Sequence, residues 1–275
     1  MLFSHRLLRD KVALLCLLTI VAVALIGMFA PWLAPNDPNK INIARKYADF
    51  SARFPLGSDH LGRCVLSRLM FGVQTTLFLA LLTMAVTIAI GCVFGFLSGY
   101  LRGRLDEAMM RCCDIMLSFP SQVMILAIVG VLGVGMFNVI LANILVKWAW
   151  YTRMIRGIII KHSQKNYILF SRAGGTPLWF ILRRHLLPNA LAEIVVLATL
   201  DTGWVILSIS ALSFLGLGVQ APTAEWGAML SEAQKVMMIH PTQMLAPGLA
   251  ILIVVAAFNL LGDCLRDALD PRESR

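Results

Sequence analysis

The chain has 275 residues, of which 59 % are hydrophobic and 14 % charged, against about 25 % charged in an ordinary soluble domain. That balance excludes a soluble globular enzyme, and it excludes intrinsic disorder, which needs low hydrophobicity and high net charge. The formal charge of +9 does not indicate nucleic acid, because the cations are scattered over separate loops and tails rather than gathered in one basic stripe.

A helix needs about 20 mainly apolar residues to cross a bilayer, so uncharged gaps mark the spans. The gap from Lys11 to Asp37 predicts a first span near Val12 to Ala30. Its basic start resembles a secretory signal, but its length and the later spans favour an uncleaved anchor. The gap from Arg68 to Arg102 predicts a second span near Thr75 to Tyr100. There Gly91, Gly95 and Gly99 form a small-residue stripe that lets two helices approach closely in lipid. Arg102 to Asp114 reads as a short amphipathic helix with a Glu107–Arg111 pair at i,i+4, and Ser118-Phe119-Pro120 leads into a third span. From Asp114 to Arg153 the chain is apolar but interrupted by Gly133, Gly135 and Asn138, which allows two shorter helices or one very long one. A fifth span is expected near Ile194 to Leu215, interrupted by Asp201, and a last one from Met244 to Gly262.

Short cytoplasmic loops retain Lys and Arg. The segment holding Arg153, Arg156, Lys161, Lys165, Arg172, Arg183 and Arg184 therefore belongs inside, and Gly216 to Gln243, whose sole cation is Lys235, belongs outside. That arrangement requires six spans rather than five, with a cytoplasmic N-terminus carrying Arg6, Arg9 and Lys11. Pro31 to Gln74 is then external despite its six cations, as long loops are less constrained by charge. Trp32, Trp148, Trp150, Trp204 and Trp226 lie near span ends and read as interfacial anchors. Of the six cysteines only Cys64 is expected on the outer side, so no outer disulfide is expected. Cys112 and Cys113, adjacent on a helix, do not face one way and read as packing residues.

The expected inner loop, 153–190, is long for an economical membrane protein and is there to touch something. Tyr167-Ile168-Leu169-Phe170-Ser171-Arg172-Ala173-Gly174-Gly175-Thr176, followed by Arg184-His185-Leu186-Leu187-Pro188-Asn189-Ala190, resembles the coupling loop of ABC importer permeases. In that family a Glu-Ala-Ala triplet, a glycine and a hydrophobic-Leu-Pro ending form a short helix that docks on the ATPase subunit. Gly175 and Pro188 match, whereas Leu169, Phe170 and Ser171 occupy the triplet positions without an acidic residue. The resemblance implies that Tyr167, Ser171, Arg172, Ala173, Gly175, Thr176 and Pro188 belong to the ATPase-coupling element.

Three further stretches are similar to permeases for dipeptides, oligopeptides and nickel: Leu56-Gly57-Ser58-Asp59-His60-Leu61-Gly62-Arg63, Leu212-Ser213-Phe214-Leu215-Gly216-Leu217-Gly218, and Phe258-Asn259-Leu260-Leu261-Gly262-Asp263 with Leu265-Arg266-Asp267 and Leu269-Asp270-Pro271. Trp148-Ala149-Trp150-Tyr151 with Arg153-Met154, and Leu197-Ala198-Thr199-Leu200-Asp201, resemble the C-type permease subunit of nickel importers; Ala221-Pro222-Thr223-Ala224-Glu225-Trp226-Gly227 is shared in part with peptide permeases. The resemblance implies an all-α, six-helix permease of MetI-like fold in the bacterial inner membrane, with both termini cytoplasmic. It divides the chain into a tail, first span and periplasmic segment (1–73), a five-helix permease core with its coupling loop (74–264) and a cytoplasmic tail (265–275). It implies as partners a second homologous permease subunit, two ATPase subunits and a periplasmic substrate-binding protein, with no nucleic acid. No phosphate-binding loop of the Gly-x-x-x-x-Gly-Lys-Ser/Thr type occurs in the chain. ATP and Mg are accordingly expected on the partner ATPases and no cofactor on this chain.

Asp201 is the sharpest single residue, because a carboxylate within a span costs about 2.5 to 3.5 kcal/mol on insertion scales and usually faces a pathway or a partner. It is a candidate for drawing in a divalent cation or a cationic chelate; a bond to Thr199 or Thr202, or a pair with Lys147, are the alternatives. Lys147 is expected to reach for the nearer interface, and Glu193 to be an interfacial charge. Met237, Met238 and His240 are weak candidates for a transient metal contact. A peptide importer shares everything but the nickel-like stretches. An ion-driven transporter calls for related halves and several intramembrane ionisable groups, and a membrane enzyme for a catalytic constellation that the scattered histidines do not form.

Overall fold

The computed structural model describes residues 10–269; Arg6 and Arg9 of the basic start, and Asp270-Pro271 with the tail that follows, lie outside them. Helix α1, Lys11–Met28, is opened by Asp10, whose carboxylate accepts the backbone N–H of Val12 at 2.8 Å and so caps the helix. Helix α2 runs through Val65–Leu101 with a π-helical turn at Gln74–Phe78. Then come α3, Gly103–Leu117; α4, Ser121–Leu132; α5, Met136–Ser163; and α6, Asn166–Ala173. Helix α7, Trp179–Phe214, contains a second π-helical turn at Leu182–Leu186. Helices α8, Trp226–Gln234, and α9, Thr242–Leu269, follow, and single helical turns lie at Ala30–Leu33 and Ile43–Arg45. The domain divisions expected after residues 73 and 264 fall inside α2 and α9.

The glycine stripe of α2 meets α5. A Cβ on Gly91 would lie 2.5 Å from the Tyr151 Cβ, one on Gly95 2.8 Å from the Ile155 Cβ, and one on Gly99 3.0 Å from the Ile159 Cβ. Tyr151, Ile155 and Ile159 share the four-residue period of the glycines, so the two helices interlock over two turns as the stripe implied. The core continues from this pair through Leu77, Ile125, Val129 and Ile206, while Ala13, Cys16, Val196, Leu261 and Leu265 join α1 to α7 and α9.

Four helices, α1, α2, α7 and α9, are long and apolar enough to cross a membrane, or five if α3 and α4, bent by 84° at their break, form one broken span. Six were expected. The difference lies in α5, which has 28 residues but whose apolar character is diluted by Asn138, Asn143, Lys147, Arg153 and Arg156. The break between α4 and α5 falls at Gly133 and Gly135, with φ of +91° and +148°, a backbone that side chains disfavour. The stretch expected as an inner loop, 153–190, is shorter, because α5 runs on to Ser163 and α7 begins at Trp179. Pro188 thus stands within continuous helix, not ahead of it. Its ring and missing N–H would disrupt an ordinary helical turn, and the wider π-helical turn just before it relieves that conflict.

Candidate functional site

Lys147 on α5 and Asp201 on α7 face each other inside the bundle. The ammonium lies 2.5 Å from both carboxylate oxygens, and the Tyr151 hydroxyl donates to Oδ2 at 3.0 Å. Tyr151 follows Lys147 by one helical turn and therefore shares its face. The ammonium also sits 3.9 Å from the centroid of the Trp204 ring, within cation–π range. Thr199 and Thr202 donate to the carbonyls of Val195 and Ala198 on their own helix, so among the alternatives for Asp201 the lysine pair is the one present. Lys147 is turned into the bundle rather than to an interface. Beside the pair opens a cleft of about 260 Å³ bordered by Leu117, Ser121, Val146, Trp150 and Trp204. The formal charge of the pair is zero, and both members are half-buried, so removing one strands the other charge in a partly desolvated site.

At the end of the bundle that carries α3, the expected coupling element forms a short helix. Ile168 anchors α6 in the core, fully buried. The opposite side turns outward, with Phe170 82 % exposed and Tyr167 and Leu169 also exposed, beside Trp179, 70 % exposed. Gly175, at φ +73°, ends the helix in the left-handed region, and the Thr176 N–H donates to the Ser171 carbonyl. Ser171 bonds back to the Tyr167 carbonyl, Arg172 lies over the Tyr100 ring at 4.3 Å, and Ala173 is the last, exposed residue of α6. Asn189, next to Pro188, donates to the Tyr167 hydroxyl at 3.3 Å, tying α6 to α7. Nearby Glu193 accepts from Lys161 and meets His162, each at 3.0 Å.

At the other end, Met237 and Met238 are exposed, and the His240 ring stacks on Tyr47 with centroids 4.1 Å apart. The organising feature there is one that sequence reasoning missed. Arg63 bridges Asp59 and Glu232 at 2.6 Å each, and Arg68 lies 3.7 and 3.6 Å from the same two carboxylates. Both arginines are buried. Asp59, His60 and Glu232 bring donor atoms within 4.8 Å of one another, but the two arginines already neutralise the carboxylates. Asp59 and Arg63 lie in a stretch that the family resemblance had marked, whereas nothing pointed from them to Glu232. Trp226, expected as an interfacial anchor, is instead buried, its indole N–H donating to the Leu69 carbonyl at 3.0 Å. Glu225 caps α8 through the Ala228 N–H and accepts from the Thr76 and Ser210 hydroxyls. Burial among these neutral groups pushes its carboxyl above the usual range.

Residues 91–275 match the family described as binding-protein-dependent transport system inner membrane component, and residues 2–50 match the N-terminal TM domain of oligopeptide transport permease C. The chain is 46 % identical over 274 residues to the metal-staphylopine import system permease protein CntC of Staphylococcus aureus, covering 100 % of this chain and 95 % of that one. It is 42 % identical over 257 residues to the nickel transport system permease protein NikC of Escherichia coli, covering 94 % and 93 %. It is also 42 % identical over 277 residues to the glutathione transport system permease protein GsiD of Shigella flexneri, covering 98 % and 89 %. Taken with its long apolar helices, these full-length likenesses show that the chain belongs to the inner-membrane components of binding-protein-dependent transport systems and is a permease subunit of an ABC importer.

Proposed function

We propose that this permease subunit, with a second homologous one, lines the route by which nickel, free or chelated, enters the cell. A periplasmic binding protein supplies the substrate, and two separate ATPase subunits, which use ATP and Mg, drive the cycle. One observation carries the choice of substrate. The two stretches that resemble nickel-importer permeases are far apart in sequence, yet Trp150 and Tyr151 of the first, with the preceding Lys147, meet Asp201 of the second at one cleft that holds an ion pair between apolar walls. A polar group at membrane depth ordinarily marks a pathway. The relatives named for nickel and for metal-staphylopine support this reading, and the relative named for glutathione supports a peptide importer as the second.

In this reading α5 is the sixth span, since its 28 residues extend about 42 Å, more than the hydrocarbon core requires. The third starts at the bend between α3 and α4 and runs through α4. Six crossings leave both termini, α3 and α6 in the cytoplasm and residues 34–64 and 216–241 in the periplasm. Residues 1–73 then flank a core of 74–264, with a tail from 265. Exposed Phe170, Leu169 and Trp179 form the docking surface for the ATPase, whose nucleotide state biases the opening only if it binds one orientation better than the other. The test is uptake of radiolabelled nickel and of a labelled dipeptide by cells lacking this gene and by the complemented strain. Gene-dependent nickel uptake is expected; gene-dependent dipeptide uptake alone would replace the substrate and leave the transporter.

A further inference from the structure

We infer that the groove between α5, α7 and α9, at the α6 end of the bundle, holds one anionic phospholipid of the inner leaflet, its phosphate on Lys161 and Arg266 and an acyl chain along the apolar walls. The inference goes beyond the transport reading and takes from it only the topology, which puts this end at the cytoplasmic boundary of the bilayer.

Three observations carry it. The groove, of about 580 Å³, has walls sorted by polarity. On α5 it is lined in succession by Met154, Ile158 and Lys161, and on α7, which runs the other way, by Leu200, Leu197 and Glu193. Seven positions separate the apolar end of each stripe from its charge, about 10 Å along a helix. Both charges lie at the same end, where Arg266 joins them from the last turn of α9. A charged head beside an extended apolar chain is the order of a phospholipid, whereas a free phosphate has nothing to offer the apolar walls. The head end also carries surplus positive charge. Glu193 is matched within the chain, accepting from Lys161 and meeting His162, each at 3.0 Å. The Lys161 ammonium has further donors on a side chain 63 % exposed, and Arg266 is exposed beside it. Two cations against one carboxylate leave one positive charge, which a single phosphodiester neutralises and a zwitterionic head does not. Finally, cationic pockets between spans on the cytoplasmic side suit anionic head groups, and Met154, 37 % exposed, keeps the apolar end of the groove accessible to an acyl chain.

The experiment uses the complete transporter, purified in detergent, stripped of lipid and titrated with phosphatidylglycerol or with phosphatidylcholine of the same acyl chains, bound lipid being counted by native mass spectrometry. Phosphatidylglycerol is expected to bind about fivefold more tightly than phosphatidylcholine, and Arg266→Gln to lose about that factor. Arg266→Lys is expected to keep the binding, a rescue that follows from charge. Met154→Trp, which fills the apolar end without touching a charge, is expected to weaken it too. Melting temperatures taken without lipid check that each variant is folded. Equal affinity for the two lipids, binding unchanged in both Arg266→Gln and Met154→Trp, or displacement of the lipid by inorganic phosphate would each overturn the inference. A photoreactive benzoylphenylalanine in place of Leu197 is expected to capture lipid in membranes; capture of the second permease subunit there would give the groove a different occupant and overturn it as well. None of these readouts involves nickel, so either reading can fail while the other stands.

Discussion

The two ends of the helix bundle are built on opposite principles. At the end carrying residues 34–64 and α8, Asp59, Arg63 and Arg68 and the distant Glu232 neutralise one another in a knot, with Arg63 and Arg68 only 2 % and 1 % exposed, and Trp226 and Glu225 lie on the same side of the bundle. At the end carrying α6, Phe170 and Trp179 stand 82 % and 70 % exposed on a helix held by Ile168 and a few polar contacts. The first end is completed by its own chain. The second presents large apolar side chains beside cations, a composition that suits a partner surface better than water. The contrast is between an end that its own side chains close and one that leaves large apolar side chains uncovered.

The sharpest way to break this contrast is at the knot. Glu232→Ala leaves Arg63 and Arg68 with a single carboxylate, and a loss of about 3–5 kcal/mol is expected, read as thermal unfolding in detergent; a change under about 1 kcal/mol would mean that the end is not locked. Next in size, Gly95→Val forces a side chain into a position where even its Cβ would lie 2.8 Å from Ile155. A loss of about 1–3 kcal/mol is expected, partly restored by adding Ile155→Ala. Glu225→Gln tests the same end by pH. A carboxyl whose folded pKa is raised binds a proton that the unfolded chain has released, so stability falls as pH rises from the unfolded value near 4.3 towards the folded one. The slope is at most about 1.4 kcal/mol per pH unit, and the Gln variant should flatten it above the unfolded value. Smallest of all, Phe170→Ser is expected to move stability by no more than about 0.5 kcal/mol, since the side chain has little in its own chain to lose.

Local and periodic features were legible in the sequence, and pairings across it were not. The stripe Gly91, Gly95, Gly99 announces a close helix contact by residue type and spacing alone, and Glu107–Arg111 lies within one turn and is present at 2.8 Å. Asp201 and Lys147 each stood out as a charge in apolar surroundings, but 54 positions separate them, and only the antiparallel run of α5 and α7 brings them together. The Arg63–Glu232 bridge spans 169 positions and left no sign in a single sequence. Trp226 was misread because residue type does not distinguish an indole at an interface from one in the core. The start of α7 was hidden by Arg183, Arg184 and Pro188, which look like a loop until the π-helical turn accommodates them. For the stretch expected to couple to an ATPase, the end of a short helix at Gly175 was readable, whereas its exposed face became visible only when the fold buried Ile168 and left Phe170 outside.

The measurement that bears most directly on the account is recovery of the ATPase subunits with the tagged permease from membranes, comparing the unaltered chain with Phe170→Glu. The account expects the variant to retain the second permease subunit and its thermal stability while losing the ATPase subunits and substrate uptake together. Retention of the ATPases with undiminished uptake would contradict it, because the exposed face of α6 would then not be where the motor binds.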